Sequence, residues 1–568
     1  MRRPPARRLV VLFACMLLAF GGVVVRLGVL EVRQSGALLA LGDAQRMRDL
    51  ALPATRGEIL DRSGTPLAMT LDARDVYANP SQVADPRDEA AQIAPILGSD
   101  RARVRSALRS SGTFVYLARQ IDPTVADRLE ALHLAGIGFQ ASSRRYYPNG
   151  PLGGQVLGFV GVDGTGLDGL ESEYESALAG TPGTQRMEVS AQGQAIAGGL
   201  DVLVPAQPGG DLVLTIDRQI QFQAQAYLKL AVEANHAKGG TIVVMDPKTG
   251  DIYAMASYPW FNPNDFASAD PQARLNGAVT SAWEPGSVNK VITAAAALET
   301  GAVSPTQRFR VPWTRTIDGY TIHDAEQHPT EAMTIGDIIA HSSNIGASIL
   351  ADRIGTAGMQ QYFARFGYGQ KTGVGFPGEA SGLMPANPWQ HITRATASFG
   401  SGVAVTPLQM AAVYATVANG GVWVQPRLVL GTRDTHGTFH PSAPPATRRV
   451  LQPATADLLT RMLAYVVADG TGQNAEIPGY QVAGKTGTSK KVDAKGRYAN
   501  RYVASFIGFL PAGSPRVVVA AIIDEPSTVY GGIAAAPLFQ EVARYAIQRL
   551  GIEPAEPVKL PPHALALP

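Results

Sequence analysis

The most extended apolar pattern of the chain lies near its N-terminus. Four arginines within the first eight residues precede an uncharged apolar run, Leu9–Val25, which continues after Arg26 as Leu27–Leu30. A helix that spans a bilayer needs about 20 such residues. Because positive charges favour the cytoplasmic side, the pattern predicts a transmembrane anchor over residues 9–30. Residues 1–8 are then expected in the cytoplasm and the rest of the chain outside the membrane.

Two other interpretations of this run are weaker. A cleaved signal peptide would need a small-x-small cleavage site, and we find none after the run. A lipoprotein signal ending at Cys15 would have too short an apolar stretch before the cysteine, and Phe13 fits it poorly. We therefore expect an uncleaved anchor.

From the anchor to residue 208 the pattern predicts a non-catalytic domain. Helical spacing, strand-like alternation and turn residues follow one another, and many glycines indicate close backbone packing. The predicted elements are a helical stalk, a strand with a turn, two helices and a glycine-rich segment, at residues 31–50, 56–68, 90–97, 123–134 and 145–171. None of them groups residues of catalytic character, so we expect a structural or docking domain over residues 31–208.

Beyond a proline- and glycine-rich linker, Pro205–Gly210, strand patterns occur at both ends of the remaining chain. Predicted strands lie at residues 211–217, in a hairpin over 240–256, and at 480–488, 502–510 and 517–523. Helices are predicted at 219–232 and 537–550, with several more before about residue 463. Strands around a helical block predict an α+β domain over residues 209–553, an antiparallel sheet covered by helices. A loose proline-rich tail is expected at 554–568.

Composition narrows the possible chemistry. A formal net charge of +2 gives no reason to expect a nucleic-acid partner. The single cysteine, Cys15, excludes a disulfide within the chain and a thiolate metal cluster. The nine histidines include no HExxH motif and no close pair, so we do not expect a metal enzyme.

One stretch carries the residues of an activated nucleophile. Trp283–Lys290 places the hydroxyl of Ser287 three residues before the amine of Lys290, where a Pro-Gly corner opens into a helix-forming run that ends at Gly301. Residues i and i+3 share a helix face, so both side chains are expected to point into one space. N–H groups at the helix start would face an oxyanion forming at Ser287. Alone, the S-x-x-K pattern is too common to predict a reaction.

Two further motifs follow in chain order. Ser342 and Asn344 form an S-x-N 55 residues after Ser287, and Lys485–Thr488 forms a K-T-G-T on a predicted strand 143 residues later. The ordered set S-x-x-K, S-x-N and K-T-G is typical of penicillin-binding proteins and class A β-lactamases. A second K-T-G at 371–373 lies in a glycine-rich stretch instead of an alternating strand, so we assign the motif to Lys485.

The chain resembles the class B penicillin-binding proteins over roughly residues 9–550. Residues 56–68 and 145–171 resemble two motifs of that family's non-catalytic pedestal, or dimerisation, domain. Segments that resemble its transpeptidase domain are Glu284–Ser287, Ser398–Gly402, Thr406–Gln409 and Asn419–Gly421. Segments most similar to the cell-division branch are residues 485–491, 502–511 and 530–532. One departure is Asn289, where an apolar residue is more frequent, and this leaves the local packing open.

The resemblance implies both fold and chemistry. It implies a penicillin-binding, serine β-lactamase-like transpeptidase domain and a serine D,D-transpeptidase that cross-links peptidoglycan stem peptides without a cofactor. Ser287 would attack the carbonyl between the two terminal D-alanines, and β-lactams would acylate the same hydroxyl. Lys290 would be the general base, Ser342 would relay the proton, and Asn344 would hold Lys290 and the substrate amide. Lys485, also implied to be catalytic, would receive the terminal carboxylate with Thr486 and Thr488, and Gly487 would be a further substrate-binding residue. The N–H groups of Ser287 and Thr488 would form the oxyanion hole. We expect burial beside the cation of Lys485 to lower the pKa of Lys290.

The resemblance also implies partners, and it leaves rival functions open. The implied partners are peptidoglycan stem peptides, β-lactam antibiotics, the cytoplasmic membrane, an FtsW-type glycosyltransferase and other cell-division proteins at the septum. The alternatives are an elongation-class transpeptidase, a membrane-anchored β-lactamase or β-lactam sensor, and a scaffold without the chemistry. A β-lactamase would need a group that activates water, and a sensor would need a cytoplasmic part larger than eight residues. A scaffold would be expected to have a broken set of motifs.

Overall fold

The computed structural model describes residues 6–33, 42, 46–188, 196, 200–493 and 495–560. Its contacts divide the chain into two compact units, residues 1–55 with 180–208 and residues 56–179 with 209–568. Much of the predicted stalk, the first five residues of the predicted cytoplasmic segment and residues 561–568 of the predicted tail lie outside the described residues.

The first unit contains the N-terminal helix and a small sheet. Helix Ala6–Arg33 is long and apolar enough to cross a membrane, in agreement with the predicted anchor. Three antiparallel strands form the sheet in the order Met47–Leu52, Gly183–Glu188 and Asp201–Val204. The end of the predicted helical stalk is therefore a strand from Met47 onward. Local spacing did not reveal this, because the strand pairs with residues more than 130 positions later in the chain.

The second unit contains a seven-stranded sheet. Its order is Phe439–Pro441, Val429–Arg433, Asp211–Leu214, Ile59–Leu60, Pro66–Ala78 and Val115–Ile121, with Ile137–Tyr146 also paired with Pro66–Ala78. Only the pair Ile59–Leu60 and Asp211–Leu214 is parallel. The predicted turn after Leu60 is present, because Asp61 Oδ1 accepts hydrogen bonds from the N–H groups of Ser63 at 2.8 Å and Thr65 at 2.9 Å.

Short helices surround the outer part of this sheet. They are Pro86–Leu97, Arg101–Leu108 and Pro123–Glu130, with a 3₁₀ turn at Pro80–Gln82. Each of the three helices begins at an aspartate whose side chain accepts backbone N–H groups of the first turn, which fixes its N-terminus. The last helix ends at Glu130, four residues before the predicted end. The buried side chains Val76, Ile93 and Leu129 belong to the core beneath these helices.

The glycine-rich segment forms tight turns and three one-turn helices, Gly154–Leu157, Gly169–Glu173 and Glu175–Leu178. Gly158 has a φ of +78°, and a Cβ there would lie 1.8 Å from the carbonyl oxygen of Asp168, so the predicted close backbone packing is confirmed. A buried ion cluster ties this segment to residues 56–68. Glu171 is fully buried and accepts hydrogen bonds from Arg56 Nε and Arg145 Nε, each at 2.7 Å.

The central sheet has five antiparallel strands in the order Ile252–Tyr258, Gly239–Met245, Val517–Asp524, Tyr498–Leu510 and Ala483–Val492. The predicted hairpin over 240–256 and the three predicted C-terminal strands are all present. Strands from the two ends of the domain meet where Val517–Asp524 pairs with Gly239–Met245. Within the described residues, Ala483–Val492 has a sheet neighbour on one side only and is an edge strand. We call it the Lys485 strand.

Helices cover both faces of this sheet, as predicted for the α+β class. Helices Arg218–Ala234 and Ala536–Leu550 contribute residues such as Leu228, Phe539 and Val542 to one core cluster. A second, larger cluster contains the buried faces of the helical block. The helices of that block are Lys290–Glu299, Ile335–Ala340, Asn344–Arg365, His391–Ser398, Pro407–Ala418 and Pro453–Asp469.

Smaller elements complete the domain. The short antiparallel strand pairs are Phe309–Val311 with Glu331–Met333, Thr314–Ile317 with Tyr320–His323, and Val422–Val424 with Thr447–Arg449. The remaining one- or two-turn helices are Pro263–Ser268, Pro271–Arg274, Gly277–Thr280, Gly286–Asn289, Gln473–Ala475 and Gly531–Ala534. The hairpin ending at His323 and the turn Gly286–Asn289 both contribute to the candidate site.

Candidate active site

Ser287 lies in a single 3₁₀ turn, Gly286–Asn289, that runs directly into helix Lys290–Glu299. The helix-forming run in the sequence starts at Val288, but the α-helix begins two residues later, at Lys290. Residues i and i+3 eclipse each other in a 3₁₀ turn, so the predicted shared face of Ser287 and Lys290 is retained. Gly286 has a φ of +58°, and a Cβ on it would lie 2.6 Å from the carbonyl oxygen of Thr488. Glycine thus allows the turn to approach the Lys485 strand closely.

Lys290 is fully buried and brings the first two motifs together. Its Nζ lies 3.0 Å from Ser287 Oγ, 3.2 Å from Ser342 Oγ and 2.8 Å from Asn344 Oδ1. It also donates a hydrogen bond to the carbonyl oxygen of Ser342. Three predicted site residues, one from the Ser287 turn and two from the segment that enters helix Asn344–Arg365, therefore meet at one amine.

Both site lysines have depressed pKa values. Burial lowers the pKa of Lys290 to about 7, and the carboxylate of Asp324 acts in the opposite direction. Burial, followed by the charge of Lys290, lowers the pKa of Lys485 well below its usual value. Burial is thus the main cause at both amines. The expected effect of the Lys485 cation on the pKa of Lys290 is absent, and the charge of Lys290 instead lowers the pKa of Lys485. An amine with a pKa near 7 is half neutral at pH 7 and can accept a proton from a serine hydroxyl.

Ser342 sits in a turn between helices Ile335–Ala340 and Asn344–Arg365 and has a φ of +60°. A left-handed backbone is costly for a serine and is retained only where the surroundings impose it. Here it directs both the carbonyl and the hydroxyl of Ser342 at Lys290. Asn344 follows at the start of the next helix, and its Nδ2 donates a hydrogen bond to the carbonyl oxygen of His323 at 3.0 Å.

The Lys485 strand carries the third motif at the sheet edge beside the Ser287 turn. Lys485 is fully buried, and its Nζ donates to Thr471 Oγ1 at 3.3 Å and to Thr486 Oγ1 at 3.1 Å. The hydroxyls of Thr471 and Thr486 lie 2.7 Å apart. Thr488 Oγ1 accepts the N–H of Gly531 at 3.2 Å. The third described partner of Lys485 Nζ is the carbonyl oxygen of Thr486 at 3.2 Å, so none of its described partners is a carboxylate.

Gly487, the third residue of this motif, faces the nucleophile turn. A Cβ on it would lie 2.3 Å from Ser505 Oγ, 3.0 Å from Val288 Cγ1 and 3.1 Å from the carbonyl oxygen of Pro285. Glycine is needed here for the strand and the Ser287 turn to pack together. The other K-T-G, at 371–373, lies in a loop without strand pairing, and the N–H of Thr372 is held by Glu379 at 2.6 Å.

Asn289, the departure noted in the sequence, is fully buried and satisfied. Its Nδ2 donates to the carbonyl oxygen of Ala397 at 2.9 Å, and its Oδ1 accepts the hydroxyl of Tyr368 at 2.6 Å. It anchors the Ser287 turn to helix His391–Ser398, which accounts for a polar side chain in this buried position.

Sequence reasoning missed two residues of the site. Asp324 accepts hydrogen bonds from Ser343 and from the start of helix Asn344–Arg365, and Thr471 links the hydroxyl of Thr486 to Lys485. Neither lies within a recognisable motif. Only the folded chain brings them to the site, so no local signal distinguished them.

Comparisons with known proteins find two matching family models and several relatives. The family model described as the penicillin binding protein transpeptidase domain matches residues 240–544, and the one described as the penicillin-binding protein dimerisation domain matches residues 51–214. The chain is 36% identical to penicillin-binding protein PbpB of Mycolicibacterium smegmatis, covering 95% of this chain and 90% of the relative. It is 34% identical to the peptidoglycan D,D-transpeptidase FtsI of Escherichia coli, covering 96% and 92%.

A solved structure has the same fold. The crystal structure of penicillin-binding protein 3 of Mycobacterium tuberculosis in complex with aztreonam superposes with a TM-score of 0.71 at 32% identity, covering 90% of this chain and all of that one. Together, the family models, the relatives and this structure extend over both the N-terminal part and the domain that holds Ser287.

Proposed function

We propose that this chain, which belongs to the class B penicillin-binding proteins and is a peptidoglycan D,D-transpeptidase, carries its acyl intermediate on Ser287 and serves septal cell-wall synthesis. The observation that carries the site assignment is the meeting of Ser287, Ser342 and Asn344 at the buried amine of Lys290. The domain boundaries at residues 31–208 and 209–553 are part of the same proposal.

Acylation begins at the hydroxyl of Ser287. Neutral Lys290 takes the hydroxyl proton as Ser287 Oγ attacks the carbonyl carbon between the two terminal D-alanines. The N–H groups of Ser287 and Thr488 stabilise the oxyanion of the tetrahedral intermediate. When the peptide bond breaks, the proton passes from Lys290 through the hydroxyl of Ser342 to the nitrogen of the departing D-alanine. The acyl group then remains on Ser287.

Deacylation uses the same groups in reverse. The amine of a neighbouring stem peptide attacks the acyl carbon and loses a proton to Lys290, and Ser287 regains its proton as the ester bond breaks. A new peptide bond between two strands is the product. The base must be neutral before each attack, and a pKa of about 7 provides this near neutral pH.

The Lys485 strand binds the substrate's terminal carboxylate in this proposal. Lys485 with the hydroxyls of Thr486 and Thr488 forms the receiving group, and the backbone at Gly487 keeps it against the Ser287 turn. Without an anion, burial and the Lys290 charge disfavour a second cation at Lys485. A bound carboxylate supplies the missing opposite charge, so substrate binding and protonation of Lys485 reinforce each other.

The septal role is the finer part of the proposal. Its support is the 34% identity to the E. coli relative named FtsI over nearly the whole chain and the apolar helix Ala6–Arg33, which fits a membrane anchor. We propose that the anchor leaves the catalytic domain outside the cytoplasmic membrane, beside an FtsW-type glycosyltransferase and other division proteins. Elongation of the side wall is the alternative, since another relative of similar identity is named only as a penicillin-binding protein.

Labelled penicillin tests the chemistry. Full-length wild-type protein is expected to retain label after denaturation, and Ser287→Ala is expected to lose it. Ser304→Ala, which removes an exposed loop hydroxyl outside the site, is the matched control and is expected to label like wild type. Label on Ser287→Ala would refute the nucleophile, and rapid hydrolytic turnover of penicillin would favour a β-lactamase.

Cell imaging tests the septal role separately. A fluorescent fusion of the full chain is expected to concentrate at midcell in dividing cells. A signal spread along the side wall would favour the elongation class while leaving the acyl-serine chemistry intact.

A further inference from the structure

We infer that Asp324 is a positioning residue of this site: it fixes the turn Ser342–Asn344 and thereby the acceptors that orient Lys290. The inference rests on the proposed function, because it assigns Asp324 a part in preparing Lys290 for acylation. Asp324 lies outside the three sequence motifs and directly after the hairpin strand Tyr320–His323.

The carboxylate of Asp324 is buried, with 5% of the residue exposed, and it is surrounded by donors from the Ser342–Asn344 turn. Its Oδ1 accepts the N–H groups of Asn344 and Ile345, the latter at 2.9 Å. Its Oδ2 accepts the hydroxyl of Ser343 at 2.7 Å. The first N–H groups of a helix have no partner within it, so this carboxylate acts as a cap supplied by a distant segment.

The residue before Asp324 fixes the side chain of Asn344. The carbonyl oxygen of His323 accepts Asn344 Nδ2 at 3.0 Å, so the amide oxygen is the atom that faces Lys290 Nζ, at 2.8 Å. A flipped amide would turn a donor toward the amine. His323 and Asp324 together therefore hold the backbone and the side chain of Asn344 in the arrangement that Lys290 requires.

Several titratable groups lie around this arrangement. Lys290 and Lys485 lie on the site side, while His323 and His328 flank Asp324 itself. His328 Nε2 lies 3.0 Å from Asp324 Oδ2, and His323 Nδ1 lies 2.7 Å from the carbonyl oxygen of Asp324. Burial disfavours the charged form of His328, but its hydrogen bonds to Asp324 and to the carbonyl oxygen of Pro329, with the charges of Asp324 and Glu331, together outweigh burial and raise its pKa.

The charge of Asp324 has a measurable consequence at Lys290. It opposes the effect of burial on the pKa of Lys290, so its removal is expected to lower that pKa further. Loss of the cap would at the same time misplace Asn344. A misplacement of about 1 Å near reacting groups costs up to about a hundredfold in rate. A positioning residue is therefore expected to show two effects when it is replaced. Acylation becomes slower, and the midpoint of the acylation rate against pH moves to lower pH.

The test compares Asp324→Asn with Asp324→Glu and with a matched control, all in the full-length chain. The control is Asp318→Asn, because Asp318 also caps a helix start, accepting the N–H of Ile392 at 2.8 Å, and also lies beside a histidine ring, His391. The second-order rate constant for acylation by a fluorescent penicillin is measured from pH 5 to pH 9, with the unfolding temperature of each variant.

Asp324→Asn is expected to acylate about ten- to a hundredfold more slowly at its optimum pH. The pH at which its rate falls to half on the acid side, the acid-limb midpoint, is expected to be lower than in the wild type. Asp324→Glu, which keeps the charge, is expected to be slow with the wild-type midpoint, and it decides the question alone if Asp324→Asn does not fold. Asp318→Asn is expected to behave as wild type. Wild-type rates in both Asp324 variants, or an Asp324→Asn midpoint that does not move, would overturn the inference. Failure of the proposed function is distinguishable, since wild-type protein would then not acylate at Ser287.

Discussion

Gly286→Ala is the substitution that most directly probes how the nucleophile meets the Lys485 strand. Gly286 has a φ of +58°, and a new Cβ would lie 2.6 Å from the carbonyl oxygen of Thr488 and 3.4 Å from Ser489 Cβ. Ordinary contact would require the turn and the strand to separate by roughly 0.5 Å or more. That movement would displace Ser287 relative to the N–H of Thr488, where the oxyanion is proposed to form.

Gly301 offers a control for the backbone strain that alanine would cause at Gly286. Gly301, just beyond helix Lys290–Glu299, has a φ of +65°, and a Cβ on it would meet no atom within 4 Å. Both alanine variants incur the left-handed penalty of about 1–2 kcal/mol. Only Gly286→Ala also forces the strand away from the turn. The difference between the two variants therefore isolates the effect of the close approach.

The assay is acylation by a fluorescent penicillin, with thermal unfolding of each variant in parallel. We expect Gly301→Ala to acylate at the wild-type rate with a small loss of stability. Gly286→Ala is expected to acylate at least about tenfold more slowly, a barrier increase of about 1.4 kcal/mol or more. Equal acylation rates in the two variants would refute the view that the Ser287 turn and the strand must touch for the reaction.

Three further predictions follow from buried polar groups. Acylation requires neutral Lys290, so the acylation rate is expected to fall to about a tenth of its maximum at pH 6 and to level off above pH 8. Stopped-flow fluorescence measures this rate, and a rate that does not change with pH would contradict Lys290 as the base. Glu171→Gln leaves the charges of Arg56 and Arg145 without their shared partner and is expected to lower the free energy of unfolding by about 3–5 kcal/mol, as measured by denaturant unfolding. Asn289→Leu loses two buried hydrogen bonds and is expected to cost about 1–3 kcal/mol by the same measurement, with slower acylation.

The sequence was most informative where chemistry depends on short spacing. Ser287 and Lys290 are three residues apart, so their shared face could be predicted without knowledge of the fold, although the turn proved to be 3₁₀. The strand context of Lys485 could likewise be recognised from apolar alternation. Order along the chain linked Ser342 and Asn344 to these residues, and the structure brings them to the amine of Lys290.

Contacts between segments far apart in the chain could not be predicted from the sequence. Asp324 caps a helix that begins 20 residues later, and Asn289 bonds to Ala397, more than 100 residues away. The strand Met47–Leu52 was taken for the end of a helix because its partner, Gly183–Glu188, lies far along the chain. Local pattern reports which face of an element is apolar, whereas these contacts depend on which segments the fold brings together.

The position of the acyl group on the full-length protein tests most directly whether Ser287 is the nucleophile. After reaction with penicillin and digestion with trypsin, Ser287 lies in the peptide Leu275–Lys290, which also contains Ser281. Fragmentation in a mass spectrometer distinguishes the two serines. We expect the penicilloyl mass on Ser287 in the wild type and no adduct on this peptide in Ser287→Ala. An adduct on Ser281, on Ser342 or on any other residue of the wild type would contradict Ser287 as the nucleophile.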